Sequence, residues 1–448
     1  MVFCCYLHDG ALFLPPEPTP KSDFHIFSNV DVFDGENEAL IKNQDVAVLG
    51  NKIHKIAPTG TLGDVPDNAI IIDGTGHVLM PGLIDVHWHT LMANMKMEAL
   101  NSSEISYTAI VAAAASKETL LRGFTTVRDA GGNSHPIKKA IDQGEIEGPR
   151  IYPSGAFICQ TSGHFDFRDR NATPTGMVDS LDYFARNNFC QIADGVPEVL
   201  KRTREQLRIG ATQIKIAAGG GVSSSYDPLD VTEYTVEEIK AAVDCAEAWN
   251  TYVLAHVFND RGIMNCIEGG VKSIEHGFFA SDEVLQVMKE KGVWLSLQPL
   301  FADEDGIQFP PGSIQKKKYE DVCSEVASCF ARAKKIGVKI AFGTDVLFDK
   351  GMARKQGKML SKLQAWFTPF EVLKMATSNN AELCKLCGPR DTYPGQLGVV
   401  KEGALADLIL TKGNPLADIN IVANADDNFM VIMKDGKICK GDMTYEKK

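Results

Sequence analysis

No stretch of this 448-residue chain approaches the roughly 18 consecutive apolar residues that a membrane-spanning helix needs, so no helical span is expected. Basic excess is also missing. Lys and Arg number 46 against 58 Asp and Glu, for a net charge of −12 and a pI near 5.4. Nucleic acid and anionic membrane surfaces are therefore not expected partners. The basic runs are short, and Lys316-Lys317-Lys318 reads as solvated loop. Eleven cysteines are present without a framework: CKLC (Cys384, Cys387) sits in a helical context with no partner pair. A zinc-finger or disulfide scaffold is thereby disfavoured, and the odd, scattered count suits a reducing compartment, which makes a cytoplasmic location the expectation. The first twenty residues lack a basic n-region and end in PPEPTP, so residues 1–23 read as a loose arm rather than a signal peptide.

What is present is globular. Apolar residues make up 44% and charged residues 23%, and the length suffices for one large barrel plus a smaller domain. Residues 24–79 alternate apolar and polar positions in short runs (FSNVDVF, QDVAVLG, NAIIID) punctuated by Asp34-Gly35, Gly50-Asn51 and Asp73-Gly74. Residues 392–448 read alike, with LADLILT and FMVIMKDGKICKG around an Asp435-Gly436 turn. Neither end can cover two faces of a sheet alone, so the economical reading pairs them into one discontinuous β-sandwich.

Between them, over 80–391, strand and helix patterns alternate. Apolar strands are expected in MPGLIDVHWH (80–89) and over 123–130, 150–157, 212–218, 252–258, 273–277, 293–298 and 338–346. The helical segments between them often stop at glycine. Eight strands alternating with helices make this an α/β protein with a (β/α)8 TIM barrel. An open doubly wound sheet is the alternative, but no Gly-rich phosphate fingerprint follows the first strand.

A barrel of this kind carries its chemistry at the C-terminal ends of its strands. In a strand alternate side chains share a face, so His87 and His89 point together while Trp88 points away. Strand four carries Lys215 among apolar neighbours, where an unpaired charge is expensive. Strand five ends at His256, strand six at His276 and strand eight at Asp345. Singly, these are satisfied core histidines, an N-cap and a lysine paired with a buried acid. Their coincidence at five strand ends is what those readings leave unexplained. Imidazoles and carboxylates suit zinc, and a neutral lysine amine can take up carbon dioxide to give a carbamate with two ligand oxygens.

This arrangement resembles the metal-dependent amidohydrolase superfamily. The stretches MPGLIDVHWH, GFTTVRDAGG, IKIAAGGGVSS, SIEHG, FGTD and EGALADLILTKGNPL are similar to its imidazolonepropionase–prolidase-like branch, which includes Xaa-Pro and Xaa-Arg/Lys dipeptidases and ochratoxin-hydrolysing amidases. The resemblance covers nearly the whole chain. It implies two divalent metal ions, zinc by expectation, held by His87, His89, Lys215 (as N6-carboxylysine), His256, His276 and Asp345. It also implies a metal-bridging hydroxide as nucleophile and Asp345 as the proton carrier. His164, in QTSGHFD, is the expected hydrogen-bond donor to the substrate carbonyl, although Phe165 stands where the branch has a small residue. Tyr226 is a candidate oxyanion donor or a packing tyrosine. Arg128 and Asp129 are expected to form a structural pair below the site, and 165–196, 300–322 and 346–368 to wall the pocket.

Three functions compete. A binuclear hydrolase of amide bonds in dipeptides or N-acyl amino acids is the first; a lactonase or esterase could use the same site. The second is a mononuclear ring hydrolase or deaminase, and such enzymes generally lack the strand-four lysine. The third is a non-catalytic scaffold, which loss of ligands would mark. A small amide or dipeptide with a free carboxylate is the expected substrate, and the chain is expected to be a homo-oligomer. Arg168, Arg170, Arg354 and Lys355 are the candidate carboxylate receptors; Phe165, Phe167 and Trp366 are candidates for an apolar wall.

Overall fold

Within MPGLIDVHWH the chain changes sheets. The computed structural model, which describes residues 24–174, 181–441 and 445–447, divides the stretch between the strands His77–Pro81 and Leu83–Trp88. The first pairs antiparallel with Leu408–Lys412 and the second parallel with Phe124–Asp129. Gly82 makes the step. Its N–H donates to the Asp407 carbonyl, and the next N–H, of Leu83, donates to the Gly123 carbonyl. A Cβ on Gly82 would sit 2.2 Å from the Thr125 hydroxyl oxygen, so glycine is what lets the two sheets approach. One buried strand through this stretch is therefore corrected to two. The arm expected over 1–23 lies outside the described residues.

The two ends of the chain build one sheet of nine strands. Its main path runs Lys437–Gly441, Phe429–Lys434, Leu408–Lys412, His77–Pro81, Phe24–Val32, Ile41–Leu49 and Lys52–Pro58. Phe24–Val32 is shared. Residues 25–28 pair in parallel with Ile70–Asp73, which also pairs with Tyr445–Lys447, whereas residues 31–32 pair with His77–Pro81. The branch wraps the sheet around Phe27, Val46, Leu79, Leu408 and Val431. At the Asp435-Gly436 turn both residues have positive φ (+55° and +72°), the backbone that two-residue hairpins favour.

Between the ends every strand pairing is parallel. Leu83–Trp88, Phe124–Asp129 and Arg150–Pro153 form one sheet. A second runs Cys190–Ile192, Phe157–Cys159, Ile214–Ala217, Val253–Val257, Ser273–His276, Trp294–Leu297 and Lys339–Phe342. Backbone hydrogen bonds link the two sheets at two places. Thr212 N–H donates to the Pro153 carbonyl at 2.8 Å, and Asp345 N–H to the His87 carbonyl at 2.7 Å. The buried Asn380 amide donates to the carbonyls of Ile84 and Phe342 at 2.7 Å each, fastening the second junction. Strands covered on both faces read as short apolar runs, IKIA and VLAHV being interrupted only by Lys215 and His256.

The eight-strand expectation undercounts. Residues 150–157 break at the turn 154–156 into two strands that join different sheets, and Cys190–Ile192 adds a strand inside an expected pocket wall. The Lys316-Lys317-Lys318 run is not loop: it opens the helix Ile314–Ile336, with Lys318 buried. That helix stops where Gly337 turns left-handed at φ +84°. The nine described cysteines are all free, and no helix among the described residues is long and apolar enough to cross a membrane.

Arg150 couples the parallel strands to the terminal sheet. Its guanidinium reaches Asp407 at 2.9 and 3.2 Å and Asp435 at 2.7 Å, with Arg150 and Asp407 both buried. Arg150→Met leaves the Asp407 carboxylate buried without its cation. The expected cost is about 3–5 kcal/mol of stability, read by urea unfolding; a change under about 1 kcal/mol would show that the coupling is unimportant.

Candidate active site

Four strands deliver side chains to one point. Leu83–Trp88 brings His87 and, one residue beyond its end, His89; Ile214–Ala217 brings Lys215; Ser273–His276 ends in His276; and Asp345 follows Lys339–Phe342. Because His87 and His89 share a face, both Nε2 atoms approach the same oxygen, Asp345 Oδ1, at 3.2 and 3.0 Å. Lys215 Nζ lies 3.4 Å from His87 Nε2, and His276 Nε2 lies 4.0 Å from Asp345 Oδ2. Trp88 turns the other way, into a separate apolar cluster.

The backbone is bent to serve this convergence. His276 (φ +74°) and Asp345 (φ +53°) are left-handed, a conformation that costs about 1–3 kcal/mol in a non-glycine residue. The bend at His276 breaks strand alternation, so that adjacent Glu275 and His276 both approach His87. Gly343 allows the close approach beside Asp345, where a Cβ would lie 2.5 Å from the His87 Cβ.

Each imidazole is aimed through its far nitrogen. His87 Nδ1 donates to Glu275 Oε2 at 2.8 Å, His89 Nδ1 to the Gly131 carbonyl at 3.2 Å, and His276 Nδ1 to Gln298 Oε1 at 2.7 Å. With the Nδ1 atoms so engaged, the Nε2 atoms of all three rings are turned toward the centre. His256 is set the other way. Its Nε2 donates to the Gly220 carbonyl at 3.1 Å, which leaves the lone pair on Nδ1, and its ring centroid lies 4.4 Å from that of His276. One potential ligand atom each from His87, His276 and Asp345 falls within 4.8 Å of the others.

The electrostatics favour ligation. Burial keeps His256 and His276 neutral, the latter's pKa pushed down to about 3. Burial alone would raise Asp345, but His87 and His89 outweigh it and hold the carboxyl well below its usual range. Lys215 is 1% exposed, and desolvation pushes its amine down to about 8 against the pull of Glu275 and Asp345. Glu275 is a buried anion because Arg128 and His87 more than offset its desolvation.

Arg128 and Asp129 do not pair. As neighbours in one strand they face opposite ways. Arg128 donates to Glu275 Oε1 at 2.6 Å and to the Val86 carbonyl at 2.5 Å, while Asp129 accepts from the N–H groups of Thr90 and Gly131 at 2.8 and 3.2 Å. Each braces a histidine-bearing segment instead.

His164 stacks on His256, with centroids 4.0 Å apart and planes 12° from parallel. Its Nδ1 lies 2.8 Å from Ser224 Oγ and 2.9 Å from Asp227 Oδ2. The loop carrying those two is held by Lys318, whose ammonium donates to the carbonyls of Gly221, Ser224 and Asp227 at 2.7, 3.1 and 2.7 Å. Phe165 stacks on Phe157 at 4.0 Å. Tyr226 is 48% exposed, and its hydroxyl accepts from the Arg170 N–H at 3.1 Å. Arg168 is gripped by Asp166 at 2.7 and 2.6 Å, Arg354 faces Glu118 at 3.6 Å, and Lys355 faces Asp305 at 3.2 Å. The structure thus gathers His87, His89, Lys215, His276 and Asp345, sets His256 and His164 beside them, and engages Arg168 and Arg354 with acids of their own.

Glu275, Gln298, Asp227 and Lys318 escape the sequence reading. Glu275 had the same signal as Lys215, a charge inside an apolar strand. Nothing local marks Asp227 or Lys318, because their partners lie 63 and 91–97 residues away along the chain.

Residues 78–439 match the amidohydrolase family. The ochratoxinase of Aspergillus niger is 34% identical over 427 residues, covering 91% of this chain and 85% of that one. A crystal structure of a prolidase complexed with N-methylphosphonate-L-proline superposes with a TM-score of 0.84 at 33% identity, over 93% of this chain and 100% of the other. A Xaa-Pro dipeptidase with methionine bound in its active site gives 0.78 at 29% identity, over 94% and 100%. The chain belongs to the amidohydrolase family and is a hydrolytic enzyme acting on C–N bonds. Its His/Asp cluster can hold a metal, in keeping with a generally metal-dependent family.

Proposed function

We propose that this chain is a binuclear metallohydrolase that cleaves amide bonds in dipeptides or N-acyl amino acids. The observation that carries the reading is Lys215, a buried amine 3.4 Å from His87 Nε2 amid imidazoles and a carboxylate. A mononuclear ring hydrolase has no use for it. Carbon dioxide would convert the neutral amine to a carbamate, releasing one proton and creating an anion for this cationic centre. The donor set fits two divalent ions, zinc by preference: His87, His89 and Asp345 for one, His256 Nδ1 and His276 Nε2 for the other, and Lys215 for both. When bound, the ions supply a polarised carbonyl and water acidic enough to attack at neutral pH.

The protein's own groups do the rest. Asp345, held ionised by His87 and His89, takes a proton and returns it to the leaving amine. Glu275, Gly131 and Gln298 keep the imidazoles aimed. His164, positioned by Ser224 and Asp227, hydrogen-bonds the scissile carbonyl, and Tyr226 adds a hydroxyl from the same loop if released from Arg170. Arg168, four residues from His164, would receive the substrate carboxylate only by giving up Asp166, and Arg354 is turned toward Glu118. The two parallel sheets, linked through the N–H groups of Thr212 and Asp345, are read as one (β/α)8 barrel over 80–391, carried by a β-sandwich from 24–79 and 392–448.

The test compares an N-acyl amino acid with its C-terminal amide and methyl ester. Losing a charge-assisted contact worth roughly 2 kcal/mol should lower kcat/KM at least about 30-fold. A difference within a few-fold would favour a neutral amide, lactone or ring substrate instead.

A further inference from the structure

The ring of His164 leans on a loop that has little stiffness of its own. Residues 221–227, GVSSSYD, form neither helix nor strand. Glycine and serine leave such a chain a wide choice of backbone shapes, so the observed one has to be imposed. It is also a demanding shape. Gly221 N–H donates to Asp227 Oδ2 at 2.7 Å, the same oxygen that lies 2.9 Å from His164 Nδ1. A Cβ on Gly221 would sit 2.0 Å from His164 Cε1, so the backbone there is packed directly against the ring.

Lys318 supplies what the loop lacks. An ammonium has three N–H groups, and the carbonyls of Gly221, Ser224 and Asp227 accept from it at 2.7, 3.1 and 2.7 Å. The acceptors recur every third residue, so the loop coils around one point, much as backbone carbonyls replace the hydration shell of a potassium ion. Lys318 is buried, and three acceptors from a single loop compensate its lost hydration. Its neighbours on the helix add to the hold. Gln315 Nε2 donates to Ser225 Oγ at 3.1 Å, and the Tyr319 hydroxyl donates to the Phe301 carbonyl at 2.8 Å and accepts from Ile307 N–H at 3.1 Å. The ammonium is thus carried by an anchored helix end. We propose that Lys318 is a positioning residue, a tethered monovalent cation around which residues 221–227 take their shape and through which His164 is aimed at the scissile carbonyl. The inference rests on the role given to His164 above; Lys318 acts through the loop and not on the substrate.

The experiment uses the full chain loaded with zinc and an N-acyl amino acid as substrate. Lys318→Ala leaves the three carbonyls without their cation. It should lower kcat by about 100-fold, the effect of displacing a positioned group by about 1 Å, with KM changed less than about threefold. Ammonium or methylammonium chloride should restore kcat at least about tenfold and saturably, whereas tetramethylammonium, which has no N–H to donate, should not. In a His164→Ala background the same substitution should cost less than about threefold, because the two residues act through one group. If Lys318→Ala does not fold, Lys318→Gln, which keeps a donor, takes its place. Amide hydrogen exchange over 221–227 tests the placement without turnover: it should quicken at least about tenfold in the variant and slow again in ammonium. Unchanged exchange, no rescue, equal rescue by tetramethylammonium, or full additivity with His164→Ala would overturn the assignment. If the native chain cleaves no amide, the proposed function fails, and the exchange measurement alone decides whether Lys318 shapes the loop.

Discussion

Lys215→Ala is expected to lose the paired-metal site and to lower kcat/KM by about three orders of magnitude or more, the worth of roughly 4 kcal/mol of transition-state stabilisation. The argument begins with burial. A lysine with no exposed surface to speak of, its amine pushed down to about 8, sits against His87 with no carboxylate in direct contact. As an ammonium it would repel any cation bound by the neighbouring imidazoles; as a carbamate it becomes a ligand with two oxygens. Elemental analysis after reconstitution with zinc and bicarbonate should find close to two equivalents in the native chain and at most one in the variant. A short carboxylic acid, small enough to occupy the space vacated, should restore part of the activity. Two firm equivalents in Lys215→Ala, or one in the native chain, would remove the bridging role.

Asp345→Asn should retain much of the metal yet lose about 10³–10⁴-fold in kcat, because the amide keeps an oxygen for ligation but no longer accepts a proton. The pH profile gives the sign. Burial works to raise the Asp345 pKa, but His87 and His89 hold it well below the ordinary carboxylate range. The group is therefore ionised at neutral pH, and kcat/KM falls only as pH drops and the carboxylate is protonated. That acid limb should disappear in Asp345→Asn. Near-native turnover in the variant would take Asp345 out of the proton path, and an unchanged acid limb would assign the limb to another group.

The local chemistry of this site was written along the chain. Period-two alternation alone puts His87 and His89 on one face, and the structure has both Nε2 atoms on one Asp345 oxygen. Lys215 stands out in IKIA because burial of a charge is costly wherever the strand lies. The same alternation sends Arg128 and Asp129, neighbours in one strand, to opposite faces where they cannot pair. The Asp-Gly turn at 435–436 likewise carried its own geometry.

Other features needed the folded chain. The division of MPGLIDVHWH depends on Gly82 meeting Thr125, a contact between sheets that no window of sequence contains. The 150–157 segment has the composition of one strand, yet pairing partners from two sheets claim its halves. Lys318 sits in a lysine run that looks solvated, and only three carbonyls from a loop more than ninety residues earlier make it a buried brace. Arg168 and Arg354, expected to meet a substrate carboxylate, face acids whose proximity depends on loop and helix packing. By itself the sequence determined the alternating architecture and the identity of the residues that converge at the site, because backbone periodicity and the cost of burying charge act locally. The tertiary structure alone decided which nitrogen of each imidazole faces the centre and which charges are already spent, because each depends on partners supplied from distant parts of the chain.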